Sequence, residues 1–466
     1  MQPAGRSSLW SVVHSAGGAL ERHIWGVDAS VNLLDLATAT SLAGGVEQLR
    51  GRSALIRTRD QLGAALALLE LDGVARRLVL CPYDLPEEHL PFVAEAAEVD
   101  AVVADGEPPS AGAFAKMPLI NCTPQVTPLR ADRRAGLRTE WVLLTSGTTG
   151  APKLLVHDLD TFAGSATGFS ASATSQVWST FYDVRRYGGL ILLVRALTSG
   201  GSLVLTSAAE PVAAFLGRVA AHGVAHLTGS PSTWRRALLS PAIAQISPRH
   251  IRLSGEVVDQ SILDNLRAAF PQAQITHAFA ATETGLAFEV ADGRAGFSAS
   301  VIGDRGGLVE LKIQDGSLRV RSPRTAVRYL GPQSLKDADG FVDTGDMVEL
   351  RGERYFFAGR RDGIINVGGL KVYPEEIEAV LNQHPQVRMA MARKQQSSIT
   401  GALVVAEVVL REDPTAPSGR DAQARLKEEL LQLCRSALAR YKVPAAIAVV
   451  PALAVTPSGK LQRSRE

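Results

Sequence analysis

Leu144-Thr145-Ser146-Gly147-Thr148-Thr149-Gly150-Ala151-Pro152-Lys153 carries seven Thr, Ser, Gly or Lys residues in ten positions. Glycines let a backbone approach an anion closely. Hydroxyls and successive N–H groups donate to phosphate oxygens, and a lysine adds a compact positive charge. Trp141–Leu144 reads as a strand feeding this loop. A flexible linker would seldom set an isolated lysine straight after a rigid proline. A P-loop, G-x-x-x-x-G-K-[ST], does not fit, because Lys153 follows Pro152 and Leu154 replaces the metal-binding hydroxyl. The segment therefore reads as a phosphate-gripping loop at the end of a strand.

Five further stretches follow it in order. They are Ser254-Gly255-Glu256, Phe279-Ala280-Ala281-Thr282-Glu283, Asp343-Thr344-Gly345-Asp346, Gly359-Arg360-Arg361-Asp362 and Thr456-Pro457-Ser458-Gly459-Lys460. Singly, each has a plain explanation. Phe279 reads as core, Asp346 as a solvated turn residue, Arg360 as a surface cation, Glu283 as a helix-start carboxylate and Lys460 as a terminal surface lysine. Together and in this order they resemble the adenylate-forming superfamily of acyl-CoA synthetases, peptide-synthetase adenylation domains and luciferases. Leu154 departs from that family's usual Pro-Lys-Gly, and Ala280 from its usual Gly.

The resemblance implies roles. Thr145, Ser146, Gly147, Thr148, Thr149, Gly150 and Lys153 would grip the phosphates of ATP. Gly255 and Glu256 would lie against adenine, Phe279 would stack on it, and Thr282 would bond the α-phosphate. Glu283 would hold Mg²⁺, Asp346 the ribose hydroxyls, and Arg360 ribose or phosphate. Thr145, Glu283 and Lys460 form the implied catalytic set. Asp362 would be a hinge. After adenylation, Gly368, Gly369 and Lys371 would face the incoming thiol, CoA or the phosphopantetheine of a carrier protein.

Alternating strand and helix signals fill the first 290 residues. Arg76–Leu80 and Ala101–Ala104 read as strands, Gln61–Leu71 and Leu85–Ala97 as helices. Ile191–Leu193 and Ser202–Leu205 flank a Gly200-Gly201 turn. From Gly307 to Phe357 short alternating segments suggest a small antiparallel β-region. Pro374, followed by Glu375 and Glu376, opens a helix. The fold class expected is α/β: a large N-terminal domain, residues 1–358, of βαβ-type sheets plus the small β-region. A small mobile α+β C-terminal domain, residues 359–466, follows and carries Lys460.

Composition narrows the partners. Lys plus Arg number 49 and Asp plus Glu 47, a formal charge of +2. Nucleic-acid binders show a stronger basic bias. Three dispersed cysteines build no disulfide framework and suit a reducing, cytoplasmic setting. No apolar run is long enough for membrane insertion.

In the family, an aromatic–His pair before a Gly borders the acid. Here the segment is Phe181–Gly189, and Arg185 or Arg186 stands where the His is expected. Tyr182, Asp183, Arg185, Arg186, Ser230 and Ala280 are the expected acyl-pocket residues. They suit a polar or aromatic acid held by Arg or Tyr. The alternative reading has both arginines facing solvent or pairing with phosphate, and Asp183 suits an amino-acid ammonium. His222 and His226, four apart, read as structural rather than metal-binding.

The activity expected is ATP-dependent activation of a small carboxylic acid to acyl-AMP, then transfer to a thiol, most simply CoA. The alternatives are an adenylation enzyme loading a carrier protein, a silent nucleotide-binding protein and a luciferase-type oxygenase. A homodimer is compatible with each.

Overall fold

The computed structural model describes residues 8–16, 21–43, 45–106, 112–130, 136–145, 151–163, 176–304, 307–367, 369–397, 401–411 and 420–453. Ser146–Gly150, Gly368 and Lys460 lie outside them.

Gln61–Leu71 (QLGAALALLEL) is a helix whose eleven residues are all buried. Asp60 caps it, its carboxylate accepting from the Leu62 N–H at 3.1 Å. A helix apolar all round has to be covered all round. Two sheets do this. One runs, in spatial order, Arg328–Tyr329, Lys153–His157, Glu140–Thr145, Arg77–Leu80, Ser53–Ile56, Ala101–Ala104 and Leu119–Asn121. Its last five strands are parallel. The other runs Gly285–Val290, Gln274–Ala281, His250–Ser254, His226–Gly229, Val177–Thr180, Ser202–Val204, His23–Trp25 and Ser30–Asn32. Its six inner strands are parallel and its two edges antiparallel.

The core between the sheets takes Ile56, Leu78 and Trp141 from one sheet and Ile24, Trp178 and Leu203 from the other. Leu66 and Leu193, from the two enclosed helices, complete it. Outer helices bury Phe215, Trp234 and Ile262 against the eight-stranded sheet and Leu90 and Val93 against the seven-stranded one. The result is a layered α/β fold.

One stretch gains an element and one expected helix shortens. Ile191–Leu193, before the Gly200-Gly201 turn, lies inside a helix, Tyr187–Thr198, whose apolar run fills the space between the sheets. The helix expected over Leu85–Ala97 shortens to Leu90–Ala96 after a single 3-10 turn at Glu87–His89. Pro86 and Pro91 fix where each can begin.

The small β-region is a five-stranded antiparallel sheet that includes Val342–Arg351 and Arg354–Arg360. Arg354–Arg360 runs straight through the division expected at 358/359, and the chain leaves the sheet at the single turn Arg361–Gly363. Beyond it, Ile377, Leu381, Val404, Val408 and Leu430 build a separate core.

Candidate active site

Strands Glu140–Thr145 and Lys153–His157 are antiparallel neighbours, with Lys153 directly opposite Thr145. The phosphate-loop stretch is thus the connection of a hairpin. The Thr145 hydroxyl oxygen is buried and has no hydrogen-bond partner among the described residues. A buried orphan hydroxyl costs free energy unless a ligand satisfies it.

Next to Lys153–His157 lies the short strand Arg328–Tyr329. The Lys153 ammonium is 6.0 Å from the Tyr329 ring centre. Burial, the nearby Glu283 charge and the hydrogen bond to that carboxylate push the Tyr329 phenol up to about 12. Tyr329 therefore stays protonated and donates to Glu283.

Glu283 sits in the turn between strands Gln274–Ala281 and Gly285–Val290. Its carbonyl accepts from the Ala326 N–H at 3.0 Å. The preceding carbonyl, of Thr282, is 2.8 Å from His157 Nε2. Burial holds His157 down to about 4, so the ring is neutral and Nε2–H donates. Gly285 closes the turn at φ +71°, where a Cβ would meet the Arg324 carbonyl oxygen at 2.6 Å. His157, Tyr329 and Gly285 are residues that the motif reading missed. His157 stands four residues past Lys153 on one strand, so the two share a face.

Asp346 comes to the same place from the small sheet. Its in-register partner is Arg360. Guanidinium and carboxylate are 3.7 Å apart, and Asp362 lies 3.4 Å from Arg360 Nε. Partial burial works against the Arg360 charge, but Asp346, Asp362 and Glu283 outweigh it and raise its pKa. The field of Glu283 thus reaches Arg360. The Asp346 loop is fixed by Thr344, whose hydroxyl donates to the Leu318 carbonyl at 2.7 Å. Asp343 is tied to Ser317 at 2.7 Å and Arg361 at 3.0 Å.

Phe279 stacks on Phe357, with centroids 5.0 Å apart and planes 15° apart, and on Phe288 at 5.7 Å and 19°. It is only half-buried. A register shift between Phe279 and Ala280 re-aims the strand there. Gly255 has φ +81°, and Glu256 accepts from the Ser232 N–H at 2.9 Å through Oε2. Its Oε1 is buried with no hydrogen-bond partner among the described residues.

Four expected pocket residues are engaged elsewhere. Arg185 is 4% exposed and clamps Asp183 with two nitrogens, at 2.8 and 2.6 Å. Burial would raise the Asp183 pKa, yet Arg185 holds it below the usual range. Asp183 is therefore a neutralised structural carboxylate rather than an open ammonium site. Arg186 pairs with Asp84 at 2.7 Å. Ser230 is 0% exposed and caps helix Pro231–Ala237, accepting from the Thr233 N–H at 3.2 Å. A pocket wall needs exposed atoms, and this hydroxyl has none. Tyr182 is also buried, its hydroxyl donating to the Ser254 carbonyl at 2.5 Å, next to Gly255 and Glu256. His226 is stacked between Trp178 and His250, and His222 on Trp25.

In the last unit, Ile365–Val367 and Leu370–Val372 form a hairpin with Val367 opposite Leu370. Gly369 takes φ +86° in its two-residue turn, and Lys371 is exposed.

The ligand-facing groups thus gather where a hairpin, a sheet end and the small sheet meet, as expected for α/β sheets. Two ammonium or guanidinium groups, three carboxylates and an orphan hydroxyl suit a polyphosphate with a cation. The chain belongs to the AMP-binding enzyme family, whose model matches residues 55–326, more than half of its length. The AMP-binding enzyme C-terminal domain matches residues 376–460. The family match begins well before Trp141, where the motifs begin. By class the chain is an AMP-binding enzyme that carries the family's C-terminal domain.

Among its relatives is a 2-succinylbenzoate–CoA ligase of Staphylococcus epidermidis, 25% identical over 338 residues, 70% of this chain and 68% of that one. The human mitochondrial acyl-coenzyme A synthetase ACSM5 is 25% identical over 466 residues, covering 93% and 76%. Two solved structures share the fold. A benzoate CoA ligase from Burkholderia xenovorans LB400 is 20% identical, with TM-score 0.79, covering 98% of this chain and 99% of that one. The anthranilate CoA ligase AuaEII in complex with anthranoyl-AMP is 16% identical, with TM-score 0.78, covering 98% and 96%.

Proposed function

We propose that the chain activates a carboxylic acid with ATP, forming acyl-AMP and releasing pyrophosphate, and then passes the acyl group to the thiol of CoA. The observation that carries this is the meeting of Thr145, Lys153, Glu283, Asp346 and Arg360 around one space. A carboxylate approaching a polyanion is repelled, by about 4 kcal/mol per pair of unit charges at 4 Å and an effective dielectric near 20. Lys153 and Lys460 oppose that repulsion. In-line attack of the acid's oxygen on the α-phosphorus breaks the bond to the bridging oxygen, which leaves with pyrophosphate. Thr145 and Thr282 hold α-phosphate oxygens, and Asp346 accepts the ribose hydroxyls. Positioning and charge dominate such a reaction.

The donor set suits Mg²⁺, since Glu283 offers a carboxylate beside the phosphate space; the ion, when bound, neutralises phosphate charge. Tyr329 donates to the Glu283 carboxylate and His157 to the Thr282 carbonyl, and the two contacts fix this turn.

The lid is residues 359–466, turning about Asp362, with the exposed hairpin at Gly368, Gly369 and Lys371 meeting the thiol in the second step. Relatives named as CoA ligases support CoA as acceptor. A second reading, loading of a carrier protein, is supported by a dimodular nonribosomal peptide synthase of Bacillus subtilis, 28% identical over 389 residues, of which this chain spans 16%. Incubation with ATP, acid and either CoA or a phosphopantetheinylated carrier separates the two by which thioester forms. A pyrophosphate-release screen over aryl, short-chain, dicarboxylic and amino acids tests the first step, and silence with every acid would overturn it.

A further inference from the structure

Between the small sheet and the last core the chain has few residues in which to turn. Strand Arg354–Arg360 ends the sheet, Arg361–Gly363 makes one 3-10 turn, and Ile365 is already buried in the last core. A swivelling unit needs its change of φ and ψ absorbed by a few residues of this kind. What fixes the near end of the turn decides which of them move.

Two successive arginines are tied to strand Val342–Arg351. Arg360 is the in-register partner of Asp346. Arg361 presents a fork to Asp343: Nη1 donates to Oδ2 at 3.0 Å and Nη2 to Oδ1 at 3.3 Å. Such a two-pronged pair fixes direction as well as distance. The carboxylate is itself anchored. Oδ1 also accepts from the Ser317 hydroxyl at 2.7 Å and the Gly345 N–H at 3.1 Å, and Oδ2 accepts from Arg319 at 3.3 Å. Arg319 is held in turn by Asp337 at 3.1 Å. Partial burial works against the Asp343 charge, but Ser317, Arg361 and the Gly345 N–H outweigh it and hold its pKa below the usual range. Isolated exposed ion pairs contribute little, and a forked pair inside a network is the exception.

Past Arg361 the ties change. Asp362 turns back onto Arg360 Nε at 3.4 Å, inside the turn itself. A Cβ at Gly363 would come no closer than 3.8 Å to a neighbour, so packing leaves this residue free to rotate. Farther on, Ser261 donates to the Asn382 carbonyl at 3.3 Å, Arg351 is 3.8 Å from Glu376, and Glu375 lies against Gly359. Single contacts of this sort can be exchanged as a unit turns.

We propose that Asp343 and Arg361 form a fixed clamp at the base of the lid: the pair stays closed as the lid turns, confines the swivel to residues 362–364, and so sets where the lid stops. Both are positioning residues. The inference rests on the lid motion proposed above and adds the place of its pivot.

The test uses the full chain with spin labels on two introduced cysteines, Lys336→Cys before the turn and Lys394→Cys beyond it. Both positions are exposed, and the three native cysteines are buried. Label distances are measured with ATP and Mg²⁺, then with AMP and CoA. In this background two narrow and different distances are expected. Arg361→Gln is expected to broaden both until they overlap, with the urea midpoint unchanged. Arg361→Lys keeps the charge and loses the fork, and is expected to broaden them less. It carries the comparison should Arg361→Gln fail to fold. Two distances left as narrow in the folded variant overturn the clamp and leave the lid motion standing. Broadening that comes only with a lowered urea midpoint also overturns it, since a loosened fold would then account for the spread. One distance under both conditions in the background protein overturns the lid motion, and this inference with it.

Discussion

Tyr329 donates to the carboxylate of Glu283, and so joins the short strand beside the Thr145–Lys153 hairpin to the turn between strands Gln274–Ala281 and Gly285–Val290. The contact links residues 46 positions apart, and neither motif contains both. It sets Glu283 within the electrostatic reach of Arg360.

The neighbouring turn depends on Gly285. An alanine there would have to adopt φ +71° with its Cβ 2.6 Å from the Arg324 carbonyl oxygen. Gly285→Ala is expected to lose about 1–3 kcal/mol in urea unfolding. The same variant should lose most pyrophosphate release because Glu283 shifts. Full activity in a destabilised variant would show that the turn does not set Glu283.

His157 gives this region a pH dependence. Its pKa is about 4 in the fold and near 6.5 when unfolded. The unfolded chain therefore binds the extra proton first as pH falls. The stability is complete above about 6.5 and is lost as pH drops toward 4, on the order of 3 kcal/mol in all. His157→Gln keeps a donor for the Thr282 carbonyl and removes the titration. Its unfolding free energy is expected to fall less than that of the unaltered protein between pH 7 and 4.5. Parallel pH curves would contradict this role.

Asp183 and Arg185 are buried partners, and breaking such a pair leaves an uncompensated charge. Asp183→Ala is expected to cost about 3–5 kcal/mol of stability in chemical denaturation. It should not shift preference between amino acids and other acids. A folded variant with undiminished stability and a changed acid profile would restore Asp183 to the pocket.

Much of this was legible in the sequence for identifiable reasons. Gln61–Leu71 was readable to both ends because Asp60 caps an unbroken apolar run. Thr145 and Lys153 were readable as a pair because they bracket one loop. What escaped depends on long-range contacts. His157 acts on a carbonyl 125 residues away. Asp183 and Arg185 pair two residues apart in a loop, a spacing with no helical or strand period to betray it. Ser230, expected at the pocket, instead caps helix Pro231–Ala237, a role fixed by the contact of its hydroxyl with the Thr233 N–H. Helix Tyr187–Thr198 hid its period because both faces are covered.

The proposed lid motion would separate the two half-reactions. Lys460→Ala is expected to lower acyl-AMP formation by roughly 10²–10³. Conversion of supplied acyl-AMP and CoA to thioester should stay near the unaltered rate. An equal loss in both half-reactions would contradict a lysine that leaves before the thiol arrives.

The most direct measurement is a crystal structure with a non-hydrolysable acyl-sulfamoyl adenosine. The expected result has the ribose hydroxyls on Asp346, the sulfamoyl group between Thr145 and Thr282, and the acyl chain directed past Tyr182. Density for the ligand anywhere away from Asp346 and Thr145 would contradict the site described above.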